Sequence, residues 1–399
     1  MIEFENVKIY TDNIEPSALE QCHKIVNSKI FGNNPIRIMP DVHAGKGCVI
    51  GFTAQLADKV VPNIVGVDIG CGMFVVPFYD EAVDFAAIDT AIRRFVPSGN
   101  SVHSEAPAAH VAEEIINQLR CKDQLTNIVR LCGSMGTLGG GNHFIEIDKG
   151  SNNTHYLIIH SGSRNLGKQV ADIYQNKAIN QNTQDTESII AAKIEQMKAN
   201  GEHQQLEETI KAMRADFAAA SDKSLAFLTG QDMEDYLHDM RLCQLYAQHN
   251  RKNIAASVLT FGGIRNFKWS ESFEVVHNYI DDNRIVRKGA VAAYANQSVL
   301  IPLNMRDGCI LGKGKENIDW NCSAPHGAGR IMSRAKAKET ISLDEYTSSM
   351  EGIYTSCVGA ATLDEAPQAY KPAQEILDLI QDTVDVQDIL KPVYNFKAS

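Results

Sequence analysis

Several absences frame this 399-residue sequence. It has no run of eighteen apolar residues, so no membrane-spanning helix is expected. The opening stretch MIEFENVKIYTDN has no basic segment followed by an apolar one, which argues against a secretory leader and makes the cytoplasm the expected compartment. The nine cysteines are scattered and include no Cys-x-x-Cys pair, so a disulfide framework is excluded and buried, reduced thiols are expected. A positive charge balance is lacking too. With 38 Lys and Arg against 49 Asp and Glu, the net charge of −11 argues against indiscriminate adhesion to nucleic acid. It leaves room for a local basic groove, because recognition follows the local field. Internal repeats and low-complexity tracts are also missing. What is present, 44% hydrophobic and 22% charged residues, is the composition of a chain that buries a sizeable core.

Up to residue 80, short apolar runs such as VIGFTAQL and MFVVPF are broken by Gly, Pro and Asn and predict strands joined by tight loops. FAAIDTAIRRFV and HVAEEIINQLR space their apolar residues as helices do, and HYLIIHSG returns to a buried strand. From roughly 168 to 253 the chain is rich in Ala, Gln, Glu, Lys and Met and has no Pro, which predicts several long helices. Strand-like segments resume in FEVVHNYI, RIVRKGAVAAY and SVLIPLNM, before AGRIMSRAKAKETI and AQEILDLIQDTV turn helical. Sheet segments therefore flank the helical stretch on both sides. The expectation is α+β: a single domain over 1–399, with central β-sheets flanked by helices and a helical insertion at roughly 168–253, rather than two sequential domains.

Chemistry-bearing residues gather at glycine turns and strand ends. VGVDIGCGM holds Asp68 and Cys71 three apart, where a tight turn can aim a carboxylate and a thiolate at one point; the plainer reading is a capping Asp and a buried Cys. In GTLGGGNHFIEI, strand alternation puts His143 and Ile145 on one face and Asn142, Phe144 and Glu146 on the other, so a metal and a nucleotide can take opposite sides unless the pleat is broken. A hairpin turn with a half-buried His is the alternative. YLIIHSGSRNLG ends a strand at His160, ahead of Arg164, and FEVVHNYI sets His277 and Asn278 inside a strand. A lone strand histidine is usually a core residue. Four such places offering Asp68, Cys71, His143, His160 and His277 point instead to a metal centre. That mixed set suits zinc, manganese, iron or cobalt, and more than four donors allows two ions sharing a thiolate or carboxylate. In MPDVHAGKGCVIG, Asp41 reads either as a turn residue or as the carboxylate that orients an imidazole elsewhere. SAPHGAGR presents His326 ahead of a Gly-Ala-Gly turn, while IPLNMRDGC and DEAPQAYKP read as ordinary turns.

In chain order MPDVHAGKG, GVDIGCGM, GGGNHFIEI, HSGSRNLG, VHNYI, RKGA, PHGAGR and DEAPQAYK resemble the RtcB family of RNA ligases over nearly the whole length. The resemblance implies an enzyme of RNA repair or tRNA splicing that joins 2',3'-cyclic phosphate or 3'-phosphate RNA ends to 5'-hydroxyl ends with GTP and manganese. It implies that Asp68, Cys71, His143, His160 and His277 bind two Mn2+, with Cys71 bridging, and that His326, oriented by Asp41, takes GMP from GTP. The guanylate would be held around the GGGNHFIEI segment (Asn142, His143, Phe144, Ile145, Glu146) and by His277 and Asn278. Pro302, Leu303, Asn304, Met305 and Cys309 would add to it, as would Gly327, Ala328, Gly329, Tyr370 and Lys397. Lys46, Arg164 and Arg330 would hold RNA phosphates. In the implied scheme an RNA 3'-phosphate takes GMP from the histidine, giving RNA(3')pp(5')G, and the 5'-hydroxyl displaces GMP. A neutral imidazole, with an ordinary pKa of about 6.5, is a competent nucleophile near neutrality. LNMRDGC departs from the family's usual loop by placing Cys309 where a hydroxyl often stands, and the ending PVYNFKAS also differs. Two other readings are an RNA-end binding protein and a metal-dependent cyclic phosphodiesterase that does not ligate. The intact nucleophile beside the metal ligands favours the ligase.

Overall fold

The computed structural model describes residues 1–200, 206–220 and 222–397. The chain is α+β. Its larger sheet has eight strands; the path that matters for the site runs Val384–Lys397, Phe144–Lys149, His155–Ser161, Gly72–Phe78, Phe273–Val276, all antiparallel neighbours. Side-chain alternation explains why MFVVPF contains nothing charged. Met73 and Val75 enter one hydrophobic cluster, and Phe74, Val76 and Phe78 enter another on the opposite face. Each such side chain, once buried, contributes about 1.5–3 kcal/mol.

A six-stranded sheet forms the second layer, in the order Ile2–Phe4, Val7–Ile9, Ile36–His43, Ile50–Gln55, Ile285–Lys288, Asn278–Ile280. Over the helix-rich stretch run Arg164–Ala199, Leu206–Ala220 and Gly230–Phe261. The last of these serves both layers. Its Met233, Tyr236 and Met240 pack in the core of the six-stranded sheet, and its Ile254, Val258 and Leu259 pack against the larger one. Among the described residues no helix is long and apolar enough to cross a membrane.

Three segments differ from their sequence reading, and each difference builds the site. FEVVHNYI is two strands: Phe273–Val276 belongs to the larger sheet and Asn278–Ile280 to the smaller, so His277 is the joint between them rather than a residue inside one strand. RIVRKGAVAAY breaks at Gly289 (φ +61°) into Ile285–Lys288 and Ala290–Ala292, the latter pairing with Ser323–Pro325 just before His326. A Cβ at Gly289 would sit 2.2 Å from Ile50 Cγ2 and 3.1 Å from His326 Cε1, so only glycine fits under that imidazole. The helix expected over AGRIMSRAKAKETI begins only at Arg334, capped by Ser333, which leaves the residues after His326 as loop.

Candidate active site

The donor residues converge because strand ends converge. Cys71 precedes Gly72, His143 precedes Phe144, His277 follows Val276, and His160 pairs with both Met73 and Phe144. Their ligand atoms form two groups that share Cys71: Cys71 with His160 and His277, and Cys71 with Asp68 and His143, each within 4.8 Å. Cys71 Sγ lies 3.4 Å from His160 Nε2 and 3.5 Å from His143 Nε2, and Asp68 Oδ2 is 3.0 Å from His143 Nε2. The carbonyls of Leu138 and Asn142 accept from Nδ1 of His143 and His160, at 2.9 and 3.2 Å, which aims each Nε2 into the cluster.

The electrostatics suit a cation. Burial, then the neighbouring imidazoles, hold His160 and His277 well below the ordinary histidine range, so both keep a free lone pair. Burial works against the Asp68 carboxylate, but contact with His143 and the charge of Arg164 outweigh it and bring Asp68 to about 2. Burial and the adjacent Asp68 push the Cys71 thiol up, a penalty that a divalent ion reverses. His277 Nδ1 is buried without a hydrogen-bond partner. His277 shares a group with Cys71 and His160, and imidazoles gathered around a thiol are a donor set that transition metals take.

His326 borders this cluster, its ring centroid 4.9 Å from that of His277. Its orientation originates in Pro40. Proline cannot donate to a ladder, and the pairing of Ile36–His43 with Ile50–Gln55 lapses between Ile38 and His43. Within that lapse Asp41, fully buried, turns its Oδ2 to His326 Nδ1 at 2.6 Å and to the backbone N–H groups of His326 and Gly327 at 3.1 and 3.2 Å. Nδ1 is thereby committed and Nε2 is left as the reactive nitrogen. Gly329 (φ +75°) lets the loop close onto the same strand, since a Cβ there would lie 2.5 Å from the Asp41 carbonyl oxygen. The imidazole opens into a cavity of about 800 Å³, a volume suited to a nucleotide-sized ligand.

A match to known proteins agrees with this geometry. The profile of the family described as "tRNA-splicing ligase RtcB" matches residues 24–398. The chain belongs to the RtcB family. It is 28% identical to the RNA-splicing ligase RtcB of Escherichia coli K12, covering 98% of this chain and 97% of that protein. To the tRNA-splicing ligase RtcB of Archaeoglobus fulgidus it is 26% identical, with 92% and 88% covered. An RtcB2 from Escherichia coli ATCC 25922 is 25% identical, with 97% and 93% covered.

Around the RtcB cleft, Asn142, Phe144 and Glu146 line the cavity while Ile145 points into the hydrophobic cluster on the other face, as alternation requires. Pro302, Leu303, Asn304 and Met305 line it, as do Gly327, Ala328, Gly329, Arg330, Tyr370 and Lys397. Other expected contacts lie elsewhere. Asn278 is used internally: its amide donates to the Asp68 carbonyl at 3.2 Å, and its Oδ1 accepts from Gly289 N at 3.0 Å. Cys309 is fully buried outside the lining, its thiol 3.7 Å from Glu146 Oε1. Lys46 is exposed and outside the lining. Arg164 reaches the donor cluster instead, with Nη1 3.3 Å from His143 Nδ1. Arg330 is engaged with the Tyr370 hydroxyl at 3.1 Å and the carbonyls of Met332 and Asp364.

Sequence reading missed Glu365, Asn395 and Lys371, all buried and all lining the cavity. Glu365 accepts from Tyr370 OH at 2.8 Å and from Lys397 Nζ, and meets Arg334 at 2.5 Å. Asn395 donates to Glu146. Lys371 Nζ donates to the Pro40 and Asn13 carbonyls, both at 2.9 Å, and so ties the Tyr370 segment to the Asp41 strand. The only available signal was DEAPQAYKP itself, whose acid has its cationic partners elsewhere in the chain.

Proposed function

We propose that this protein joins RNA 2',3'-cyclic phosphate or 3'-phosphate ends to 5'-hydroxyl ends, using GTP and two Mn2+, in RNA repair or tRNA splicing. The names of its relatives, RNA- and tRNA-splicing ligases, support the substrate class. The observation that carries the reading is a single imidazole, His326, locked through Nδ1 on Asp41 at the border of a five-donor cluster and a nucleotide-sized cavity. A binding protein has no use for so constrained a nucleophile.

His326 Nε2 attacks the α-phosphorus of GTP, an N–P bond forms, and the α–β P–O bond breaks as pyrophosphate leaves. Asp41 stabilises the ring as Nε2 gains positive character and holds the Nδ1 proton. An oxygen of the RNA 3'-phosphate then attacks the same phosphorus, breaking the N–P bond and giving RNA(3')pp(5')G. Finally the 5'-hydroxyl oxygen attacks the RNA phosphate and GMP leaves; a cyclic end is first opened by water. Asp68, Cys71, His143, His160 and His277 would hold the two ions, with Cys71 shared, and bound Mn2+ would supply charge stabilisation at the transferring phosphate. The Asn142, Phe144 and Glu146 face, the Pro302 to Met305 stretch, and Tyr370 with Lys397 would hold the guanylate, and Phe144 and Tyr370 supply aromatic faces. Of the cations expected at RNA phosphates, Arg330 lines the cavity and would face them, while Arg164 would add its charge beside the donor cluster.

The test is incubation with Mn2+ and α-labelled GTP. The expected result is an acid-labile, base-stable label on the protein, reduced at least about 10³-fold in His326→Ala. A label that persists in that variant would overturn the assignment. Ligation of a 3'-phosphate RNA to a 5'-hydroxyl RNA then separates a ligase from a phosphodiesterase that stops at the opened end.

A further inference from the structure

The helix Gly230–Phe261 carries two neighbouring polar residues, Asn250 and Arg251, that are fully buried between its two apolar halves. Neither lines the cavity. Burying a guanidinium is costly unless its donors are used, and here four bonds go to three separate segments. Arg251 Nη1 donates to the carbonyls of Gly70 at 2.8 Å and Ser161 at 2.6 Å, while Nε and Nη2 hold Glu274 Oε1 at 2.9 and 2.5 Å. Gly70 immediately precedes Cys71, Ser161 follows His160, and Glu274 lies on the strand Phe273–Val276 that leads into His277. Asn250 reaches the remaining donor segment. Its Oδ1 accepts from Gly136 N and Thr137 N at 2.8 and 3.0 Å, and its Nδ2 donates to Thr137 O, Ser161 Oγ and Gly162 O at 3.0–3.1 Å. Thr137 adjoins Leu138, whose carbonyl fixes the His143 ring.

We propose that Asn250 and Arg251 are the positioning residues of the metal centre: one dipeptide on one helix sets the spacing of all four ligand-bearing segments. This deepens the two-metal reading above and rests on it. The role needs the planar fork of arginine, because three partners on different segments, one turn and two strands, are held by one side chain. A lysine ammonium, a point donor at the end of a flexible stem, keeps the charge but cannot span them. Partners of this kind, one step behind the ligands, govern metal affinity because they set donor geometry before the ion arrives.

The test uses the full chain stripped of metal and titrated with Mn2+, with free ion followed by electron paramagnetic resonance and unfolding of the metal-free protein measured in parallel. Arg251→Lys is expected to weaken Mn2+ binding about 10- to 100-fold. Val258→Ala, on the same helix but facing the hydrophobic cluster, serves as the control for a merely structural loss. It is expected to lower the unfolding temperature and leave affinity within about twofold. Should Arg251→Lys fail to fold, the milder Glu274→Gln carries the test, with weakening of about 3- to 10-fold expected. Wild type that binds Mn2+ alongside an Arg251→Lys or Glu274→Gln protein matching Val258→Ala in affinity would overturn the positioning role alone. Wild type that binds no Mn2+ would overturn the two-metal reading and this inference with it.

Discussion

In the donor cluster each reactive side chain stands at a strand end or in the turn beside one, and its backbone is held by buried amide and guanidinium bonds from a helix. In the wall formed by Glu365, Tyr370 and Lys397 the side chains hold one another directly, Arg330 and Arg334 close the circle, and Arg330 also holds the Asp364 carbonyl. Both regions are buried and polar, yet they fail differently. The cluster's geometry is set by backbone and survives loss of a donor, whereas the wall's geometry is its charge pairing.

The largest expected effect falls on the cluster and touches function alone. Cys71→Ala removes the one donor common to both ligand groups, so Mn2+ binding and ligation should fall by more than about 100-fold. The unfolding temperature of the metal-free protein should stay close to wild type, and a large drop would break the comparison. Next comes Glu365→Gln, where the wall should lose stability as well as substrate binding. Leaving the buried Lys397 ammonium without its carboxylate, while Arg334 keeps only Asp364, should cost about 3–5 kcal/mol, read from denaturant unfolding. Burial alone would raise the Glu365 carboxyl, but Lys397 and then Arg334 outweigh it and bring it down to about 2 from an ordinary 4.5. Its stabilisation is therefore present above about pH 4.5 and lost as the pH falls from there toward 2, a slope that the variant should lack.

The smallest effect has the opposite sign. Asp148, fully buried next to Glu146 and Cys309, is raised by burial, and Glu146 is raised with it. Raised carboxyls bind their protons more tightly in the folded state, so the contribution of the pair is present at low pH and lost as the pH rises through their folded-state range. Asp148→Asn should thus be more stable than wild type near pH 7, by on the order of 1–3 kcal/mol, and closer to it near pH 4. Unfolding curves that run parallel at both pH values would remove the contrast between the two carboxylates.

The same contrast marks what could be read from the residues. Asp68, Cys71, His143 and His160 were legible because strand alternation and glycine turns are local patterns, and alternation also sent Ile145 away from the cleft. His277 was legible as a residue but not as a joint, because FEVVHNYI reads as one strand-like segment with no Gly or Pro in it, although FEVV and NYI enter different sheets. Glu365 was invisible: its partners Arg334 and Lys397 lie 31 and 32 positions away, and no periodicity reports a charge pair closed by tertiary structure. Arg251 was hidden for a related reason, since a cation in a helix rich in polar residues looks solvated until both faces of that helix are seen to be covered. The depth of Cys309 likewise depends on a neighbouring strand rather than on its own loop.

The lapse at Pro40 also governs when the chain becomes reactive. Asp41 and His326 meet across 285 positions of sequence, and the strand Ser323–Pro325 that leads to His326 is itself held by Ala290–Ala292. A contact across so long a separation carries a loop-closure cost that packing of the intervening chain offsets. A partly synthesised or partly unfolded molecule therefore carries an ordinary, freely rotating histidine at position 326, with either ring nitrogen exposed. Under the proposed function, His326 would therefore become a directed nucleophile only with the native state, since only the folded chain commits its Nδ1 to Asp41.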